Sequence, residues 1–275
     1  MALPNFLIVG AAKAGTTSLY HYFRQHPDVY MSPVKEPRYF WHEGRAVGRV
    51  PVATRQAYER LFSGATSERA LGEASPQYLH SPSGPDRIAA DVADAKIIVS
   101  LRNPADRAYS SYLGRLRSAQ ERRSVDEAMR SGTYYFETSR YFLPLTRYLE
   151  RFGSRIRIVM FDDLVRDARA VMRDLYAFIG VDESFDVDVA VRHNAASVPR
   201  SRTLNTILWR SVEFSRRYLP EAIRDTGLAA MVQRPLLRRP DPLPASIRRR
   251  LLDEFRDDIM QTSELIGRDL THWLA

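Results

Sequence analysis

The chain of 275 residues has no cysteine and only six histidines. Disulfide frameworks, thiolate nucleophiles and thiolate-held zinc are therefore excluded, and the redox compartment is left undecided. Lysine is nearly missing as well: of the 41 Lys and Arg residues only Lys13, Lys35 and Lys96 are lysine. A lysine kept in so arginine-rich a chain suggests a place where a flexible point charge is needed and a rigid guanidinium fork serves poorly. No apolar run approaches the roughly 18 residues of a membrane-spanning helix, and the apolar stretch over residues 6–12 has no basic stretch before it. The expectation is a cytoplasmic protein without stable membrane insertion.

What is present suffices for a full core. With 44% hydrophobic and 27% charged residues, the chain reads as one domain over residues 1–275. A net charge of +8 favours an anionic partner such as phosphate, sulfate, a polyanionic sugar, nucleic acid or acidic lipid. Three strand and helix units stand out. Phe6-Leu-Ile-Val-Gly10 is an apolar run closed by glycine, followed by Leu19, Tyr22 and Phe23 at helical spacing over residues 17–26, before Pro27. Lys96-Ile-Ile-Val-Ser-Leu101 leads to Asn103 as a helix cap and Pro104 at the first helical position. The helix after it carries Ala105, Ala108, Tyr109, Tyr112, Leu113 and Leu116 along one face. A third helix with Leu145, Tyr148, Leu149 and Phe152 ends at Gly153 and leads into a strand over residues 156–161.

Apolar strands alternating with amphipathic helices predict a three-layer α/β fold with a central parallel sheet, and place ligands at the strand C-termini. Residues 192–244 form an Arg- and Pro-rich peripheral segment, expected to cover the ligands, and a last helix bears Ile247, Leu251, Phe255 and Ile259.

Between the first strand and helix lies Gly10-Ala-Ala-Lys13-Ala-Gly15-Thr16-Thr17-Ser18, where backbone N–H groups and the helix dipole can cradle an anion. A nucleotide-kinase loop needs lysine directly after its second glycine; here Thr16 stands there and the lysine comes earlier. The second strand ends in Arg102, where a Walker-type NTPase would place a magnesium-binding acid. Arg102, with Ser110 about two turns into the next helix, suits a second phosphate held without metal. The plainer reading pairs Arg102 with Asp106.

These motifs resemble the sulfotransferases that use 3′-phosphoadenosine 5′-phosphosulfate (PAPS), above all the heparan sulfate sulfotransferases and their bacterial relatives. The resemblance covers nearly the whole chain and implies their P-loop-like fold. Residues 10–18 resemble the 5′-phosphosulfate loop, which implies donor contacts from Lys13, Ala14, Gly15, Thr16, Thr17 and Ser18. Leu101-Arg-Asn-Pro-Ala-Asp-Arg-Ala-Tyr-Ser110 resembles the 3′-phosphate motif and assigns that phosphate to Arg102 and Ser110. Residues 194–203 resemble a late loop over the nucleotide, with Arg200 and Ser201 as donor contacts. Further likenesses are Lys35-Glu36-Pro37-Arg38-Tyr39-Phe40, Gly72-Glu73-Ala74-Ser75-Pro76-Gln77-Tyr78-Leu79 and Gly267-Arg268-Asp269-Leu270.

The implied reaction moves a sulfuryl group from PAPS to a hydroxyl or amine of a small-molecule or glycan acceptor, leaving 3′-phosphoadenosine 5′-phosphate (PAP), with no metal. Sulfuryl transfer needs a base on the acceptor and positive charge on the departing oxygen; the resemblance gives these roles to Glu36 and Lys13. The plainer reading of Glu36 is a surface glutamate paired with Lys35 or Arg38. His42 and Glu73 are alternative bases, and Lys35, Arg38, Glu73 and Gln77 are candidate acceptor contacts. Heparan-type enzymes often carry histidine two residues after the first glutamate and lysine after the second. Arg38 and Ala74 stand there instead, which leaves the acceptor open among carbohydrates, glycolipids and secondary metabolites. Two rival readings are a P-loop kinase or NTPase, with Asp162 as its acid, and a nucleic-acid-binding protein using Arg238-Arg239 and Arg248-Arg249-Arg250. The second lacks any reader module, and a solvated basic face accounts for those arginines.

Overall fold

A computed structural model describes residues 2–41, 52–190, 198–199 and 237–275. His42, Arg200, Ser201 and most of residues 192–244 lie outside the described residues. The chain divides into two compact units: Met1–Asn103 with Arg140–Asn194 and Phe255–Ala275, and Pro104–Ser139 with Ala195–Glu254.

The first unit is built on five strands, β1 (Phe6–Gly10), β2 (Val29–Met31), β3 (Ala70–Ala74), β4 (Lys96–Leu101) and β5 (Ile156–Met160). They form one sheet in the order β2-β3-β1-β4-β5, parallel throughout. Every residue of β1 is buried, as expected of a central parallel strand covered on both faces, which reads as a continuous apolar run. Phe6, Ile8 and Ile98 point into a core with Leu19 and Phe23 of helix α1 (Thr16–Phe23) and with Met172, Leu175 and Tyr176, which belong to the 12-residue helix Ala168–Ile179. Leu7, Val9, Ile97 and Val99 alternate to the other face and are equally buried. These two covered faces make the three layers.

Two strands, β2 and β3, were not evident from the sequence. In β3, Gly72 is required by packing: a Cβ there would lie 2.1 Å from Cζ of Phe6. Helix α1 also stops earlier than the predicted residue 26. After its end, His26 is a buried side chain whose Nδ1 accepts the Asp28 N–H at 3.0 Å and whose Nε2 lies 3.0 Å from the Asp182 carbonyl.

The second unit contains the helix Pro104–Arg117, the short helices Val125–Ala128 and Tyr134–Glu137, a two-stranded antiparallel pair (Val198–Pro199 with Leu237–Arg238) and the first part of the helix Ala245–Ile266. The predicted stripe on Pro104–Arg117 is real: Ala105, Ala108, Tyr112 and Leu113 are buried. Arg107 is buried beside it, donating to Ser139 Oγ at 2.8 Å and Thr138 Oγ1 at 2.6 Å. Arg248 pairs with Asp106 and Arg250 with Asp126 at 2.7 Å. Two of the arginines behind the nucleic-acid reading thus serve packing within this unit.

Candidate active site

Parallel pairing places the C-terminal ends of β3, β1 and β4 side by side, and the site grows from those three ends. From β1 the chain enters the phosphate loop. The Ala11 N–H donates to the Ser100 carbonyl at 2.7 Å, and Ser100 Oγ donates to the Ala14 carbonyl, so β4 clamps the loop from beneath. Lys13 has a positive φ of 73° and its side chain is exposed. Gly15, at φ 88°, caps α1. A side chain there would be strained by conformation and by space, since its Cβ would lie 2.7 Å from Leu164 Cδ2 and 3.1 Å from Phe161 Cδ2. The first-turn N–H groups at Thr16, Thr17 and Ser18 have no acceptor within the helix, and the glycine cap supplies no side-chain oxygen. The result is a basic, donor-rich cradle that fits a phosphate or sulfate.

Arg102 follows β4. Its Nη1 donates to the Lys13 carbonyl at 3.2 Å, and its guanidinium lies over the Phe161 ring, 4.6 Å from the centroid. Asp106, the partner in the plainer reading, is held by Arg248. Phe161 opens the helix Phe161–Arg166. It walls both Gly15 and Arg102; in the sequence its one signal is its place at the end of an apolar strand. Asp162 accepts the Trp273 indole N–H at 3.2 Å, and Asp163 pairs with Arg268 and Arg166, each at 2.6 Å. The acid required by the kinase reading is thus engaged in packing.

Glu36 is reached from β3. The segment after β2 runs on beside that strand, with the Ser32 N–H on the Gly72 carbonyl at 2.8 Å and the Glu36 N–H on the Ala74 carbonyl at 3.0 Å. Around the Glu36 carboxylate stand Lys35 Nζ at 3.0 Å, Arg38 Nη2 at 2.7 Å and Gln77 Nε2 at 2.8 Å. Burial would push this carboxyl up, but the Lys35 charge and hydrogen bonds from Arg38, Gln77 and Lys35 prevail and hold it at about 2. Three of the four candidate acceptor contacts therefore gather on one carboxylate, and the plainer pairing of Glu36 is also present. Glu36 and Arg38 both have positive φ, 59° and 56°, a strained backbone of the kind found at functional turns.

Glu73 departs from expectation. Its side chain is 0% exposed, with Tyr58 donating to Oε1 at 3.0 Å and Ser75 to Oε2 at 2.8 Å. It forms no acceptor-facing surface, because the β3 pleat turns it inward among Tyr58, Ser75 and Tyr78. Burial pushes it up, against hydrogen bonds from Ser75, Tyr78 and Tyr58 and with the Glu36 charge adding to the rise, to about 7. Ser75 Oγ also accepts the Arg38 N–H at 3.1 Å, so Glu73 supports the Glu36 turn from below. Phe40, in the aromatic run after Arg38, is core, and Tyr39 stacks on Tyr58 at 4.4 Å. Ser110 is half-buried on the helix Pro104–Arg117 of the second unit.

A family model for the sulfotransferase domain matches residues 3–216, more than half of the chain. The chain belongs to the sulfotransferase family. A solved structure of a sulfotransferase from Alicyclobacillus acidocaldarius is 31% identical, superposes with a TM-score of 0.75 and is matched over 100% of both chains. Mouse bifunctional heparan sulfate N-deacetylase/N-sulfotransferase 4 is 30% identical over 214 residues, 69% of this chain and 24% of the mouse protein. Mouse heparan sulfate glucosamine 3-O-sulfotransferase 3B1 is 34% identical over 113 residues, 40% of this chain and 26% of that one. The chain thus spans about a quarter of the length of these curated relatives. Membership in this sulfotransferase family displaces the kinase reading. No described helix is long and apolar enough to cross a membrane.

Proposed function

We propose that the chain transfers a sulfuryl group from PAPS to a hydroxyl or amine of an acceptor in the cytoplasm, without a metal. The carrying observation is the common edge formed by β3, β1 and β4: the Lys13 loop leaves β1, Arg102 follows β4, and Glu36, on the segment after β2, is tied to the end of β3 by its N–H on the Ala74 carbonyl. The loop and the α1 N-terminus hold the 5′-phosphosulfate, through Lys13, Ala14, Gly15, Thr16, Thr17 and Ser18. Arg102 and Ser110 take the 3′-phosphate, and Arg200 and Ser201 cover the nucleotide. The proposal treats residues 1–275 as one catalytic domain with 192–244 as its cover; the family match over 3–216 crosses both compact units and supports it.

In the reaction, the acceptor oxygen or nitrogen forms a bond to sulfur as its proton passes to the Glu36 carboxylate. The bond from sulfur to the bridging oxygen breaks, and its electron pair stays with the phosphate of PAP, where Lys13 offsets the new charge. A carboxyl held at about 2 is ionised at neutral pH but is weakly basic. Lys35, Arg38 and Gln77 must therefore transfer some of their contacts to the acceptor before Glu36 can take the proton. The same cations suit an acceptor bearing negative charge, which favours a glycan of the kind named in the heparan sulfate relatives over a neutral metabolite. The test is transfer of labelled sulfate from PAPS to a panel of desulfated heparin oligosaccharides, a glycolipid and a phenol. Transfer to the oligosaccharides that fails in Glu36→Gln supports the reading; undiminished transfer by that variant overturns the base assignment.

A further inference from the structure

Arg102 is framed by the Lys13 carbonyl, the Phe161 ring and the Tyr141 hydroxyl, and one residue ties together the segments that carry Phe161, Tyr141 and Arg102 itself. Trp273, in the turn Thr271–Leu274, is 2% exposed. Its carbonyl accepts the side-chain amide of Asn103, the residue after Arg102, at 2.9 Å. Its indole N–H donates to Asp162, the residue after Phe161, at 3.2 Å. Its ring lies 6.3 Å from that of Tyr141, whose hydroxyl donates to the Arg102 carbonyl at 2.8 Å. The Arg268 pair with Asp163 adds a second tie between the same segments, but it is part-exposed and contributes little by itself.

We propose that Trp273 is a positioning residue for the donor site, holding Phe161 and the end of β4 so that the Arg102 guanidinium is fixed for the 3′-phosphate. The inference rests on the reading of Arg102 as the 3′-phosphate contact. The physical case is that an arginine side chain has many rotamers. Stacking on a ring that is itself tied down, with a carbonyl contact to Lys13, removes that freedom before the ligand arrives. A tryptophan that merely filled the core would support the whole fold equally; one that sets Arg102 should affect the 3′-phosphate selectively.

The experiment compares PAP with adenosine 5′-monophosphate, which lacks the 3′-phosphate, by titration calorimetry of the full chain. Trp273→Phe keeps the aromatic bulk and removes the N–H. Asp162→Ala removes the same contact from a half-exposed side chain and leaves the core closed. Phe161→Leu removes the stacking face. Trp273→Phe and Asp162→Ala are each expected to lose about tenfold in PAP affinity, the worth of one impaired charge-assisted hydrogen bond, while changing monophosphate affinity less than about twofold; Phe161→Leu is expected to lose at least as much PAP affinity and, because Phe161 also borders Gly15, some monophosphate affinity with it. Equal losses for both ligands in Trp273→Phe and Asp162→Ala, or unchanged PAP affinity in Asp162→Ala and Phe161→Leu, would overturn the positioning role. A parent chain that binds PAP no better than the monophosphate would instead overturn the donor reading beneath it.

Discussion

Replacing Glu73 by glutamine should reverse its effect on stability between acidic and alkaline solution. Glu73 is held at about 7 in the folded chain against an ordinary value of 4.5. Below pH 4.5 the group is protonated whether the chain is folded or not, and the native state is at full strength. As pH climbs from 4.5 to 7 the unfolded chain releases its proton while the folded chain retains it, so stability falls. Above 7 the fall is complete. At ~1.36 kcal/mol per pH unit, the gap amounts to about 3 kcal/mol. Glutamine cannot ionise and removes this fall, but it offers one acceptor where Tyr58 and Ser75 both donate, a loss of about 1 kcal/mol. The variant should therefore be about 1 kcal/mol less stable than the parent at pH 4, nearly equal to it at pH 5 and about 2 kcal/mol more stable at pH 8. Urea denaturation at these values measures the difference directly, with equal m-values as the sign that the same two states are compared. Groups titrating elsewhere affect parent and variant alike and cancel. A stability difference that stays constant from pH 5 to 8 would show that Glu73 does not titrate in that window and would refute the reasoning.

Glu36 should behave in the opposite sense. With its carboxyl held at about 2, the stability it contributes is complete above 4.5 and is lost as pH falls towards 2, so Glu36→Gln should flatten the acid limb of a thermal-denaturation profile. Gly15→Ala combines a left-handed backbone with a Cβ pressed on Leu164. It should lower stability by about 2–4 kcal/mol and be visible as a reduced urea midpoint. Lys13→Ala and Arg102→Ala should each weaken PAP binding by at least about tenfold in calorimetry, whereas Glu36→Gln should leave it within about twofold and reduce turnover.

The parts of the fold legible in the sequence were those with one dominant signal. β1, β4 and β5 are apolar runs, and the helix stripes over residues 105–116 and 145–152 have a clear period. β3 was hidden because Ala70-Leu-Gly-Glu-Ala74 is short and interrupted by a glycine and a charged residue, so it shows no continuous apolar run. Its glycine answers to the Phe6 ring and its glutamate to Tyr58 and Ser75, partners that only the tertiary fold supplies. In the site, Lys13 and Arg102 could be nominated because charged residues in a small-residue loop or at a strand end stand out, whereas Glu36 came from the resemblance to the heparan-type enzymes. Phe161 and Trp273 could not, since an aromatic side chain near a strand end has the same appearance whether it fills the core or holds an arginine. Asp162 was noticed for the wrong chemistry: it serves as an acceptor for Trp273. Glu73 was misplaced because alternation along a strand cannot be read before the strand itself is recognised.

The central claim is that this loop and Arg102 read a 3′-phosphorylated adenosine donor and not a magnesium-bound triphosphate. Titration of the chain with PAP and with ATP, each with magnesium and again with EDTA, tests it most directly. Tight PAP binding that is unchanged by EDTA and weakened in Arg102→Ala is the result expected. A magnesium-dependent preference for ATP would contradict it.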